Sequence, residues 1–150
     1  DNAMLPADLL AYLMRTFPAD RLKEALWIEK PVTAVIYGEG YGAGIQKGGM
    51  YSSIKKLIVF DVFVVDAEHF KLGGWWLSWE NTCDVASKLG LDVVPFIGTM
   101  SLEDATTMVQ TGFPSKLGDC QAEGIVGRTE EALFDKKGAR LIVKLKTKDF

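Results

Sequence analysis

The segment KLIVFDVFVVD, residues 56–66, decides the fold. Apolar residues fill it continuously instead of at alternate positions, β-branched and aromatic types dominate, and Asp61 is the one charge in its interior. Such a run reads as a strand covered on both faces, and a strand of that kind belongs in the middle of a sheet. It is also far too short, and broken by Asp61, to cross a bilayer.

Working outward, VTAVIYGEGYG (residues 32–42) is rich in β-branched and aromatic residues and predicts a strand running into the glycine-rich stretch YGEGYGAGIQKGG, residues 37–49. Those glycines fit neither of two familiar phosphate-binding patterns. Lys47 lacks the GxxxxGK[ST] spacing of a P-loop, and the GxGxGxG spacing of Gly38, Gly40, Gly42 and Gly44 is not the GxGxxG of a dinucleotide fingerprint. A strand ending in a glycine hairpin is the plain reading. Before it, LPADLLAYLMRTFPADRLKEALW (residues 5–27) has helical apolar spacing, split by Pro18 into two helices, with Pro6 and Pro18 each suited to a first turn.

Downstream, WLSWENTCDVASKLG (76–90) predicts a helix ending on Gly90, LDVVPFIG (91–98) a short strand, and SLEDATTMVQTG (101–112) a helix opened by Ser101 with Asp104 three residues on. AEGIVGRT (122–129) and ARLIVKLKT (139–147) predict two strands joined by a turn around Lys137 and Gly138. Without regular βαβ alternation, the expectation is an α+β fold with mostly antiparallel sheets flanked by helices.

Composition narrows the function. With 150 residues, 48% hydrophobic and 25% charged, the chain is the size and character of one soluble domain. A net charge of −3 excludes a uniformly basic nucleic-acid grip, although KKGARLIVKLKTK (136–148) contains no acid. Cys83 and Cys120 form no CxxC and His69 is the sole histidine, so a zinc site is not expected and a reducing, cytoplasmic setting is. No cleavable signal or membrane segment is visible, and residues 1–3 read as an expression-tag remnant ahead of Met4. Trp75, Trp76 and Trp79 read first as core packing and otherwise as base-stacking platforms.

Three groups carry candidate chemistry. Glu39 lies between glycines at a strand end, where the missing side chains leave room for a ligand whose hydroxyls a carboxylate can hold. In LIVKLKT, strand alternation puts Ile142, Lys144 and Lys146 on one face and Leu141, Val143 and Leu145 on the other, with the lysines about 7 Å apart. A solvated edge strand explains that pattern, and so does an anion such as phosphate between two ammonium groups. Glu123, opening the strand of Ile125 and Val126, suits Mg²⁺, which takes one or two carboxylates plus water and substrate phosphate.

Taken in order, YGEGYGAGIQKG, VFDVFV, EGIVGR and KLKTK resemble the covalent nucleotidyltransferases, in particular the ATP-dependent RNA ligases of the phage double-strand-repair type. The resemblance implies a partial nucleotidyltransferase core, ATP-grasp-like, that uses ATP and Mg²⁺ and acts on RNA or nicked nucleic acid. It implies that Glu39 holds the ribose, Phe60 stacks on adenine with Asp61 shaping the pocket, Glu123 supports the metal and adenylate transfer, and Lys144 and Lys146 contact the α-phosphate. In such ligases a lysine attacks the ATP α-phosphorus and releases pyrophosphate. AMP then passes to an RNA 5′-phosphate, and a 3′-hydroxyl displaces it.

The nucleophilic lysine of that chemistry sits in a Lys-x-Asp-Gly motif, and no lysine here is followed by x-Asp-Gly; before Glu39 stand only Lys23 and Lys30. The expectation is a single ligase-like domain over residues 4–150, incomplete at both ends, that binds ATP or AMP without adenylating itself. An exposed sheet edge in such a piece is consistent with a homodimer. The alternative is a non-catalytic nucleic-acid or partner-binding module built on the same fold.

Overall fold

The computed structural model describes residues 5–27, 32–45, 51–66 and 73–150. The tag-like residues 1–3, Lys30, Lys47 with Gly48 and Gly49, and His69 lie outside them. The chain falls into two compact units, Asp1–Val94 and Pro95–Phe150.

In the first unit the helical spacing becomes α1 (Ala7–Thr16) and α2 (Ala19–Leu26), with Pro6 and Pro18 immediately before them, where a missing N–H leaves no bond unmade. Three strands and a helix follow: β1 (Val32–Tyr41), β2 (Lys56–Asp66), β3 (Gly74–Trp76) and α3 (Trp79–Leu89), then the two-residue β4 (Asp92–Val93). β2 is central, as its continuous apolar run requires. β1 pairs antiparallel along one edge, while the other edge is shared by β3, antiparallel at Phe63, Val64 and Val65, and β4, parallel at Ile58 and Val59.

The ladder between β1 and β2 slips once. Tyr37 pairs with Asp61 and Gly38 with Val59, which leaves Phe60 as the extra residue of a β-bulge. Side-chain alternation reverses there. Leu57 and Val59 before the bulge, and Val62 and Val64 after it, all join Val85, Ala86 and Leu89 of α3 in one core with Ala25 of α2. Full burial of each valine is worth roughly 1.5–3 kcal/mol.

Two expectations shift at their boundaries. The helix predicted from Trp76 starts at Trp79, because the Ser78 hydroxyl accepts from the Asn81 N–H and caps it, while Trp75 and Trp76 belong to β3. The strand predicted over 91–98 pairs only at Asp92 and Val93, as Pro95 cannot donate to a ladder. None of Trp75, Trp76 and Trp79 is fully buried, so they do not form the core expected of them.

The second unit holds α4 (Leu102–Thr111), β5 (Gly124–Arg128) and β6 (Ile142–Lys146), followed by a 3₁₀ turn, Thr147–Asp149. Ser101 caps α4: its hydroxyl accepts from the Asp104 N–H at 3.0 Å and donates to the Asp104 carboxylate at 2.7 Å. The predicted hairpin forms between β5 and β6, and α4, with Val109 fully buried, lies against β6. Both units therefore combine helices with antiparallel pairing, β4 being the parallel exception.

Gly124 is fixed by backbone proximity. Its φ is +152°, and a Cβ there would stand 2.0 Å from the Leu145 carbonyl oxygen. Gly138, at φ +81° in the connecting turn, has nothing within 4 Å of such an atom. Gly124→Ala should therefore cost about 1–3 kcal/mol or more, and Gly138→Ala nearer 1 kcal/mol, compared through urea midpoints. Equal losses would show that the close approach of β6 is not what selects glycine at 124.

Candidate functional site

The register assigns every residue of the large sheet to a face. Val32, Ala34, Ile36, Gly38 and Gly40 look toward the helices with their β2 partners, and Thr33, Val35, Tyr37, Glu39 and Tyr41 look the other way with Val65, Phe63, Asp61, Ile58 and Lys56. Glu39 and Asp61 thus share the face turned away from α3, on neighbouring rows. Glu39 is exposed, whereas Asp61 is 4% exposed and Phe60 half-buried at the bulge.

The glycines around Glu39 act differently from the expectation. The space left at Gly38 is taken by the Ile58 carbonyl oxygen, 2.7 Å from a built Cβ, and that at Gly40 by the Leu9 side chain of α1. They let the strand lie close to its partner and to α1, on the side opposite Glu39. Glu39 itself is exposed, while Ile58 and Asp61 on the same face are buried, so its glycine neighbours do not make room beside the carboxylate.

That face also carries Tyr37 and Phe63, which the sequence did not single out, beside Trp76. Trp76 pairs with Phe63 across β2 and β3, with ring centroids 4.9 Å apart, and lies 5.2 Å from Tyr37. The three rings form a tilted aromatic cluster beside Asp61, the register partner of Tyr37. Nothing in the local sequence pairs Tyr37 with Trp76; the third strand brings them together.

At the other end of the same face, Asp92 accepts from the Tyr41 hydroxyl at 2.9 Å and from Lys56 Nζ at 3.1 Å. Burial first, then the hydrogen bond to Asp92, pushes the Tyr41 hydroxyl up to about 12. For Asp92, burial works upward, and the hydrogen bonds from Lys56 and Tyr41 outweigh it and hold the carboxyl below its ordinary value.

In the second unit, Gly124 pairs with Lys146, Val126 with Lys144 and Arg128 with Ile142, so Lys144 and Lys146 share a face as expected and Arg128 joins them. Arg128 was legible only once the pairing of the two strands was known. Lys144 is exposed and Lys146 half-buried. The opposite face is less covered than alternation suggested, since Leu141 is 49% and Val143 42% exposed while Leu145, Ile125 and Gly127 are half-buried. A two-stranded sheet with one short helix against it does not cover a whole face.

Glu123 sits at the mouth of this ladder: its carbonyl accepts from the Thr147 N–H at 2.9 Å, next to Lys146. No cluster of three acidic, histidine or cysteine ligands occurs among the described residues. The single carboxylate of Glu123 would meet only part of a magnesium shell, with phosphate and water as the remainder, and does not make a protein-only cage. The sequence-chosen residues divide evenly, Glu39, Phe60 and Asp61 in the first unit and Glu123, Lys144 and Lys146 in the second.

The raised Tyr41 value marks stability that is complete below the ordinary phenol range and lost as pH climbs through about 12; the lowered Asp92 value marks stability lost as pH falls through it. Tyr41→Phe should abolish a tyrosinate component at about pH 12 in an ultraviolet absorbance titration and cost about 1 kcal/mol at neutral pH. A component at that pH surviving the substitution would contradict the Tyr41–Asp92 bond.

A family model described as RNA ligase matches residues 9–146. No curated protein matches the chain. Among the described residues no helix is long and apolar enough to cross a membrane.

Proposed function

The chain belongs to the RNA ligase family, and from that premise we propose that it binds an adenine nucleotide, ATP or AMP, in the service of adenylate transfer to RNA ends. The observation that carries this reading is the sorting of side chains by register. Glu39 and Asp61 share one sheet face with Phe60 at the bulge between them, and Lys144 and Lys146 share one hairpin face.

Each group suits a different part of the ligand. The Glu39 carboxylate accepts hydrogen bonds from the ribose hydroxyls. Phe60 offers a ring to the adenine base, with Asp61 beside it shaping the pocket. Lys144 and Lys146 place positive charge on the α-phosphate, which lowers the cost of the charge that builds on the phosphoryl oxygens during transfer. Glu123 would hold Mg²⁺ together with the phosphates, and the metal, when bound, supplies further charge neutralisation.

The absence of Lys-x-Asp-Gly from the sequence bears on the first chemical step. That step needs an amine activated as a nucleophile, and none of the lysines stands in that motif. The residues present serve binding and charge stabilisation, so the chain holds nucleotide without forming lysyl-AMP. Support for a second reading, a non-catalytic nucleic-acid-binding module, comes from Arg128 joining the lysine face. RNA affinity that falls steeply with salt in a chain with no ATP affinity would select it.

Two experiments test the proposal. Incubation with α-labelled ATP and Mg²⁺ should leave no covalent label on the chain, and a labelled band would show that another lysine serves as nucleophile. Replacing Lys144 and Lys146 together by Met should weaken ATP binding by about tenfold or more, corresponding to about 1.4 kcal/mol, while leaving the circular dichroism spectrum intact. Unchanged ATP affinity would remove both lysines from the phosphate site.

A further inference from the structure

A cleft of about 430 Å³ opens in the first unit beside α1, where Asp8, Tyr12 and Arg15 face Ser53, Lys55 and Lys56. Its volume lies in the range of small-ligand sites. None of the residues assigned above to nucleotide binding lines it.

Its chemistry is lopsided. Arg15, Lys55 and Lys56 bring three cations against the single carboxylate of Asp8. Lys55 is ion-paired to Asp8 and Lys56 to Asp92, so these two ammonium groups are held in place. Arg15 forms no ion pair among the described residues, and the hydroxyls of Tyr12 and Ser53 form no hydrogen bond among them. Tyr12 is half-buried and packs against the core. The residues lining the cleft thus carry a guanidinium without an ion pair, two ammonium groups paired to Asp8 and Asp92, and two hydroxyls, beside the apolar Ala43 and Ile54.

A donor-rich, cationic hollow of this kind matches a ligand made of acceptor oxygens carrying negative charge. We propose that the α1 cleft binds a phosphoryl group, with Arg15 as its main anchor, Lys55 and Lys56 as flanking charges and the Tyr12 and Ser53 hydroxyls as neutral donors. The same oxygens are offered by a free phosphate anhydride and by the terminal phosphate of a nucleic-acid strand. The site stands on residues of the first unit alone and does not depend on the adenylate reading.

The test is calorimetric titration of the full chain with pyrophosphate and with a short oligoribonucleotide bearing either a 5′-phosphate or a 5′-hydroxyl. Pyrophosphate should bind, Arg15→Met and Lys55→Met should each weaken it about tenfold or more, and a component should persist when Lys144 and Lys146 are both Met. A preference for the 5′-phosphorylated oligonucleotide that disappears in Arg15→Met identifies the strand terminus as the source. Pyrophosphate binding without that preference identifies the free anion. Arg15 is exposed, so its replacement by Met leaves the fold intact and decides the matter even if Lys55→Met does not fold. Unchanged pyrophosphate affinity in Arg15→Met, or complete loss in the Lys144 and Lys146 variant alone, would overturn the site.

Discussion

One surplus residue in the central strand reconciles two demands that a regular strand cannot meet together. Leu57 and Val59 must face the helices, and so must Val62 and Val64, yet the two pairs have opposite parity. The bulge at Phe60 changes the parity between them. Without it, one half of the strand would turn its valines away from α3, at a cost of several kcal/mol. The same slip decides what the other face carries, because it sets Asp61 opposite Tyr37 and Ile58 opposite Glu39. Packing on one side of the sheet and the placement of Glu39 and Asp61 on the other are consequences of a single irregularity.

Much of the architecture was written locally and could be read. Pro18 divides two helices, Ser101 and Asp104 begin a third, Gly90 ends another in a left-handed conformation, and the apolar run of β2 places it centrally. The bulge could not be read. A strand covered on both faces has no alternation, and a change of parity leaves no trace in a sequence that is apolar throughout. For a similar reason the tryptophans deceived: Trp76 lies in a three-residue strand whose existence depends on pairing with β2, and the helix signal that follows extends across it only on paper.

The candidate site was legible to the extent that each piece is local. Lys144 and Lys146 share a face because strand alternation demands it, and Glu39 sits on a strand as the β-branched run before it suggests. What alternation alone could not supply were the partners contributed by other strands, among them Arg128 beside the lysines and the rings of Tyr37, Phe63 and Trp76 beside Asp61. Nor could composition tell why glycines flank Glu39, since close packing against Leu9 and the Ile58 carbonyl leaves the same mark in sequence as a ligand's approach.

Family membership motivates the nucleotide proposal, and register gives each unit its set of polar groups. The proposal is tested most directly by amide chemical shifts during titration of the chain with ATP and Mg²⁺. Signals of Glu39, Phe60 and Asp61 in the first unit, and of Glu123, Lys144 and Lys146 in the second, should each move saturably as nucleotide is added. A group whose signals stay still at saturating nucleotide would contradict its assignment.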